Sequence, residues 1–158
     1  MDISEKTWLE KLADKLPGLS GYQAREGRRD TDKRLREFLA GRLDRVKDRI
    51  EDAKLALTNA GNLQALNDVG LLQRRLQGVT DSIRFASYGY SGLFDQLKIR
   101  EAELDQLYAY DLKMVDAVDA LQKIVEDPAH TPSDALAAVK ALDDLVAERK
   151  HLWDAPTA

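Results

Sequence analysis

Leu39, Leu43, Val46, Ile50, Ala53, Leu57 and Ala60 follow one another at intervals of 4, 3, 4, 3, 4 and 3 residues. An α-helix, with about 3.6 residues per turn, brings positions spaced this way onto one face, and a strand does not. The rhythm returns in Val69, Leu72, Leu76, Val79, Ile83 and Ala86. It returns again in Leu97, Leu104, Leu107, Met114, Val118, Leu121 and Val125, and a last time in Leu136, Val139, Leu142, Leu145, Val146, Leu152 and Trp153. A helix with one apolar stripe has to bury it against another element. Four such helices with short connections predict an all-α chain, an antiparallel up-down-up-down four-helix bundle whose near-3.5 spacing makes the seam coiled-coil-like. A chain that is 33% charged and 6% aromatic suits long helices better than sheets.

The breaks between stripes set the boundaries. Residues 4–16 read as a short amphipathic helix capped by Ser4, with Trp8, Leu9, Leu12 and Leu16 on one face, closed by Pro17-Gly18. Ser20 and Gln23 have the spacing of a capping box for the next helix, expected to be unbroken from about residue 29 to 60 with Gly27 as its weak point. Gly61-Asn62 turns the chain, and Ser87-Tyr88-Gly89-Tyr90-Ser91-Gly92 breaks it before a third helix at 93–126. Pro128 ends that helix. Thr131-Pro132-Ser133-Asp134 opens the fourth, with Thr at the N-cap, Pro at the first position and Asp in the first turn. The chain thus divides into an N-terminal amphipathic helix and turn, residues 1–18, and a single globular bundle, residues 19–158. The first is expected to dock as a lid on the bundle end.

Several chemistries find no support in these residues. With no cysteine there is no disulfide, thiolate metal site or thiol nucleophile. The two histidines, His130 and His151, belong to opposite poles, and neither a phosphate-binding glycine loop nor a Gly-x-Ser-x-Gly turn is present. Glu148 and His151 have the Glu-x-x-His spacing of di-iron bundles, but no second copy accompanies them. The expectation is a non-enzyme without metal or cofactor. Charges at Asp2, Glu5, Lys6, Glu10 and Lys11 argue against a signal peptide, and no stretch has the length and apolarity of a membrane span, so the expected address is the cytoplasm.

Charge is unevenly spread. The net value is −4, yet residues 25–49 hold ten Lys/Arg against six Asp/Glu, and residues 101–148 hold twelve Asp/Glu against three Lys. The simplest account has these regions facing each other across the bundle. Antiparallel packing gathers Tyr22, Arg25, Arg28, Arg29, Tyr88, Tyr90, Phe94, His151 and Trp153 at one pole. Aromatic residues and arginines of this kind are enriched at protein interfaces. With Trp8 on the preceding helix, these residues (His151 apart) are the expected contact for a protein partner or a second copy, and the chain reads as a non-enzymatic adaptor or scaffold. The alternative is peripheral membrane or nucleic-acid binding through the N-terminal helix and the arginine cluster at residues 25–36. Glu26, Asp30 and Asp32 interrupt that cluster at helical spacing and favour internal pairing over nucleic acid.

Two charged residues stand inside apolar stripes: Asp111, between Leu107 and Met114, and Arg149, seven after Leu142. Counted outward from a turn near residues 129–130, they fall at one level of the third and fourth helices. A carboxylate in a core costs several kcal/mol without a partner, so the spacing predicts a buried structural ion pair. The rival arrangement rotates the third helix so that Tyr108 and Val115 face inward and Asp111 meets water.

The opening residues, Trp8-Leu9-x-x-Leu12 followed by Leu16-Pro17-Gly18-Leu19-Ser20-Gly21-Tyr22-x-x-Arg25-Glu26-x-Arg28-Arg29-Asp30-x-Asp32-Lys33-x-Leu35-Arg36, resemble those of an uncharacterised bacterial α-helical family. The shared signature is Leu-Pro-Gly-x-x-Gly-Tyr-x-x-Arg-Glu-x-Arg-Arg. The resemblance covers about the first 36 residues; it implies a bacterial bundle and carries over no catalytic residue.

Overall fold

The computed structural model describes Lys15, residues 25–85 and residues 101–150. These form four α-helices: α1 (Arg25–Ala60), α2 (Leu63–Arg84), α3 (Glu101–Glu126) and α4 (Pro132–Lys150). Apart from Lys15, the expected helix at residues 4–16 lies outside the described residues, as do the glycine-tyrosine loop at 87–92 and residues 93–100 and 151–158. Helix α1 runs without a break for 36 residues, about 54 Å.

Two turns close the hairpins, each for a local reason. After α1, Gly61 adopts φ +70°, its N–H reaches Thr58 O at 3.1 Å, and Asn62 N–H reaches Leu57 O at 3.1 Å. This paired closure satisfies carbonyls left over at the helix end and needs a left-handed residue, which glycine supplies without a Cβ clash. The Asn62 side chain then accepts from Ala65 N–H at 3.2 Å and caps α2. Before α4, Thr131 and Asp134 bond reciprocally. Asp134 N–H donates to Thr131 Oγ1 at 3.3 Å, and Thr131 N–H donates to Asp134 Oδ2 at 2.9 Å.

Each hairpin is antiparallel, and the two hairpins pack so that α1 touches α2 and α3, while α4 touches α2 and α3. Around the bundle the order is therefore α1, α2, α4, α3, with α2 and α3 on a diagonal. The register of α1 against α3 gives their relative direction. Arg42 bonds Asp119 and Gln122, and Arg45, Val46 and Arg49 lie beside Gln122, Val125 and Glu126. Helices α1 and α3 thus advance together, and direction alternates in chain order.

The core is the meeting of the four stripes, with Leu39, Leu43, Leu76, Val118, Leu121, Val139 and Leu142 all buried. Helix α3 buries a broader face than its stripe alone, adding Leu112 and Val115, because it is wedged between α1 and α4. On α1 the buried stripe stops at Ile50. Ala53 and Ala60 are exposed and Leu57 is only half-buried, against the expectation of a stripe buried to its end. The cause is unequal hairpin length. Helix α3 ends at Glu126, level with Arg45 to Arg49, so about ten residues of α1, some 15 Å, project beyond the α3–α4 hairpin and have only α2 beside them.

Two checks follow. Gly61→Ala should lower stability by about 1 kcal/mol in urea unfolding because the left-handed turn resists a Cβ. Gly41→Ala, where an added Cβ meets nothing within 4 Å, should raise it by about 0.5–1 kcal/mol. The bonds from Thr131 hold the Asp134 carboxyl below its usual 3.8. Its contribution is complete above that value and is lost as pH falls through the lower folded value. Melting curves of the protein and of Asp134→Asn should therefore differ at neutral pH and converge well below pH 3.8; a constant gap would exclude this role for the cap.

Candidate functional site

Polar chemistry inside the bundle centres on α3 and α4. Arg149 Nε donates to Asp111 Oδ1 at 2.6 Å, with Arg149 2% and Asp111 1% exposed. Both residues sit in core-facing stripes of facing helices, so neither charge has water to turn to, and each compensates the other. Val115 is buried on the same helix, so α3 turns both Asp111 and Val115 inward and does not exchange one for the other. One position along, burial pushes the Tyr110 phenol above its usual range, and the neighbouring Glu148 carboxylate adds to the shift. Lys113 lies 5.0 Å from the centre of the Tyr110 ring. Among the described residues no three His, Asp or Glu side chains converge as a metal-holding group.

The basic and acidic regions meet along α1 and α3. Arg42 donates to Asp119 and to Gln122, with its guanidinium 5.8 Å from the Phe38 ring centre. Lys15 bonds Asp116, which raises its ammonium pKa above the usual value, and lies 3.7 Å from Asp119. Across the α1–α2 seam, Arg84 pairs with Asp44 at 2.6 Å and Lys47 donates to Gln77 at 2.6 Å. Within the arginine cluster, Arg36 is buried and donates to Arg84 O at 3.1 Å, satisfying a carbonyl at the C-terminal end of α2. That guanidinium is turned to the fold and not to an external anion.

Of the residues expected at the binding pole, Trp8, Tyr22, Tyr88, Tyr90, Phe94, His151 and Trp153 lie outside the described residues. Their expected clustering at one end lies there too. Arg25, Arg28 and Arg29 belong to the first turns of α1, where only the backbone is described. The described part of that pole holds a residue that the periodicity passes over: Phe85, the C-cap of α2, is 64% exposed.

Two further surfaces were not evident from the stripes. On the projecting α1–α2 hairpin, Leu55 is 63% and Leu63 is 74% exposed, and residues 55–67 carry no charge at all in a chain that is one-third charged. Between α2 and α4 runs an open cleft of about 670 Å³. Leu71, Val79, Leu136 and Val139 form its apolar floor, and Arg74, Arg75 and Lys140 stand along its banks. The sequence signal for this cleft was slight: Leu71 sits one position off the stripe that holds Leu72, and Arg74-Arg75 follow it.

Compared with protein-family models, curated proteins and solved structures, the chain matches none.

The buried pair makes a quantitative prediction. Arg149→Ala should destabilise the protein by about 3 kcal/mol, because it strands a buried carboxylate. Asp111→Leu combined with Arg149→Leu should cost much less than Arg149→Ala alone. A double-mutant cycle by denaturant unfolding measures the coupling; additive single effects would rule out a paired contribution.

Proposed function

We propose that this chain is a non-enzymatic adaptor or scaffold that binds a protein partner, with the Tyr/Arg-rich pole as the contact. The observation that carries this reading is Phe85, 64% exposed at the end of α2. A large aromatic side chain held out at a bundle end, next to the segment that contains Tyr88, Tyr90 and Phe94, is the kind of residue that anchors interfaces. The described interior supports the same reading from the other side: its charged groups are occupied in holding helices together, as Arg149 holds Asp111 and Arg36 holds the end of α2. No described helix is long and apolar enough to cross a membrane.

The ionic alternative, a nucleic acid or an anionic membrane bound through the N-terminal helix and the arginine cluster at residues 25–36, gives the opposite salt response. An aromatic-anchored protein contact should persist as salt rises, and phosphate binding should collapse. Partner capture is best compared between the intact chain, a chain lacking residues 1–28, and Phe85→Ala, at low and high salt. Capture by the intact chain that survives high salt and falls roughly tenfold in Phe85→Ala, the scale of a modest hot spot, is the expected result. Capture unchanged in both variants would remove the pole as the contact. Mobility-shift and liposome-flotation signals that vanish with salt would favour the alternative.

A further inference from the structure

We propose that the cleft between α2 and α4 is a docking groove for an amphipathic helix of a partner protein, one with an apolar stripe flanked by acidic residues. This rests on the protein-binding reading of the chain but uses a surface separate from its pole. The floor is apolar and half open to solvent, with Val79 and Val139 buried at its base and Leu71 and Leu136 above them. On the α2 bank, the exposed Arg74 and Arg75 make no ion pair with any described residue. On the α4 bank, Lys140 makes only an exposed contact with Asp144, four residues along its own helix, at 3.2 Å. Asp143 is the one acidic residue along the cleft. Three cations against one carboxylate make a local net charge of +2 on a chain of net charge −4, so the cleft stands out from its own protein as an anion-seeking surface.

The distribution of these groups selects the occupant. The α2 bank carries two cations without an ion pair among the described residues, and on the α4 bank Lys140 is balanced by Asp143, so a matching ligand needs an apolar centre with negative charge along the side that faces α2. A helix with apolar residues at i, i+3, i+4 and i+7 and glutamates beside them has that cross-section. A fatty acid carries one carboxylate at one end and would leave much of its chain in water in so open a trough. The α2 lining runs from Leu71 to Ser82, a rise of about 16 Å, which accommodates about three turns of a bound helix. Both banks belong to long helices whose opposite faces are in the core, so the trough is preformed and docking requires little rearrangement.

The test uses the intact protein and labelled helical peptides of about 15 residues, long enough for four turns. One has a leucine stripe flanked by glutamate, one the same stripe flanked by lysine, and one the glutamate composition with the stripe scrambled. Fluorescence anisotropy should show the glutamate-flanked peptide binding at least roughly tenfold more tightly than either other peptide, as expected from a few exposed charge pairs acting over an apolar contact. Arg74→Glu combined with Arg75→Glu, both exposed positions, should reverse the preference in favour of the lysine-flanked peptide; circular dichroism confirms that the variant folds. Ala137→Trp, which places a bulky ring in the groove, should weaken every peptide without touching a charge. Equal affinity for the three peptides, or a preference that survives the double charge reversal, would overturn the proposal. So would a result in which dodecanoate binds the cleft and the glutamate-flanked peptide does not. Loss of partner capture in Phe85→Ala with peptide binding intact separates the pole from the groove, so failure of one is not failure of the other.

Discussion

Leu39 and Leu43 on α1, Leu76 on α2, Leu121 on α3 and Leu142 on α4 are among the least exposed side chains in the protein. Their burial is the driving force that joins the four helices, since each helix alone would leave an apolar stripe in water. Where the stripes are all present the bundle is closed. Past the end of α3 and the start of α4, the continuing stripe of α1 meets only α2; Leu57 is half-buried there and the alanines stay exposed. The length of one hairpin thus limits the core of the other, and the projecting, charge-free end of α1–α2 is a direct result of that mismatch.

Inside this apolar frame the charged residues act as fasteners, each tying elements that hydrophobic contact alone would leave free to slide. Arg149 and Asp111 set α4 against α3, because a one-residue slip would separate them and leave a charge buried alone. Arg42 ties α1 to α3 through Asp119 and Gln122, and Arg36 ties α1 to the last turn of α2. These contacts explain the opposed charge of residues 25–49 and 101–148: part of it is spent across the α1–α3 interface. Arg74 and Arg75 are different in kind. They face a trough and engage no acidic group among the described residues, so they have no fastening to do.

These two roles of arginine divide the protein into an interior that is mechanically complete and a surface that is not. Among the described residues, the interior buries the central turns of the stripes and pairs the charge of Asp111 with that of Arg149. The surface retains Phe85 at one pole, Leu55 and Leu63 at the other, and the α2–α4 trough along the side. The proposed scaffold role would draw on this combination: helices that hold surfaces in fixed relation, and surfaces that still expose apolar groups.

How much of this was readable beforehand depends on the range of the interaction involved. Helix content and turn positions are local properties. The 3–4 spacing marks four helices, and Thr131, Pro132 and Asp134 announce a helix start through bonds spanning three residues. Asp111 and Arg149 can be picked out as charged positions within apolar stripes, and counting from the turn between them places them level, because a hairpin obeys simple geometry. Chain order alone could not decide that α2 would lie beside α4 and not beside α3, since that depends on how two hairpins face each other. Nor could a stripe reveal that its last turns would meet only α2, because Ala53 and Ala60 are as apolar as the buried positions before them. The trough between α2 and α4 exists only because those two helices are neighbours, and Arg74, Arg75 and Lys140 become one site only there. Periodicity is a property of one helix; a core boundary and a groove are properties of two, and only tertiary packing decides them.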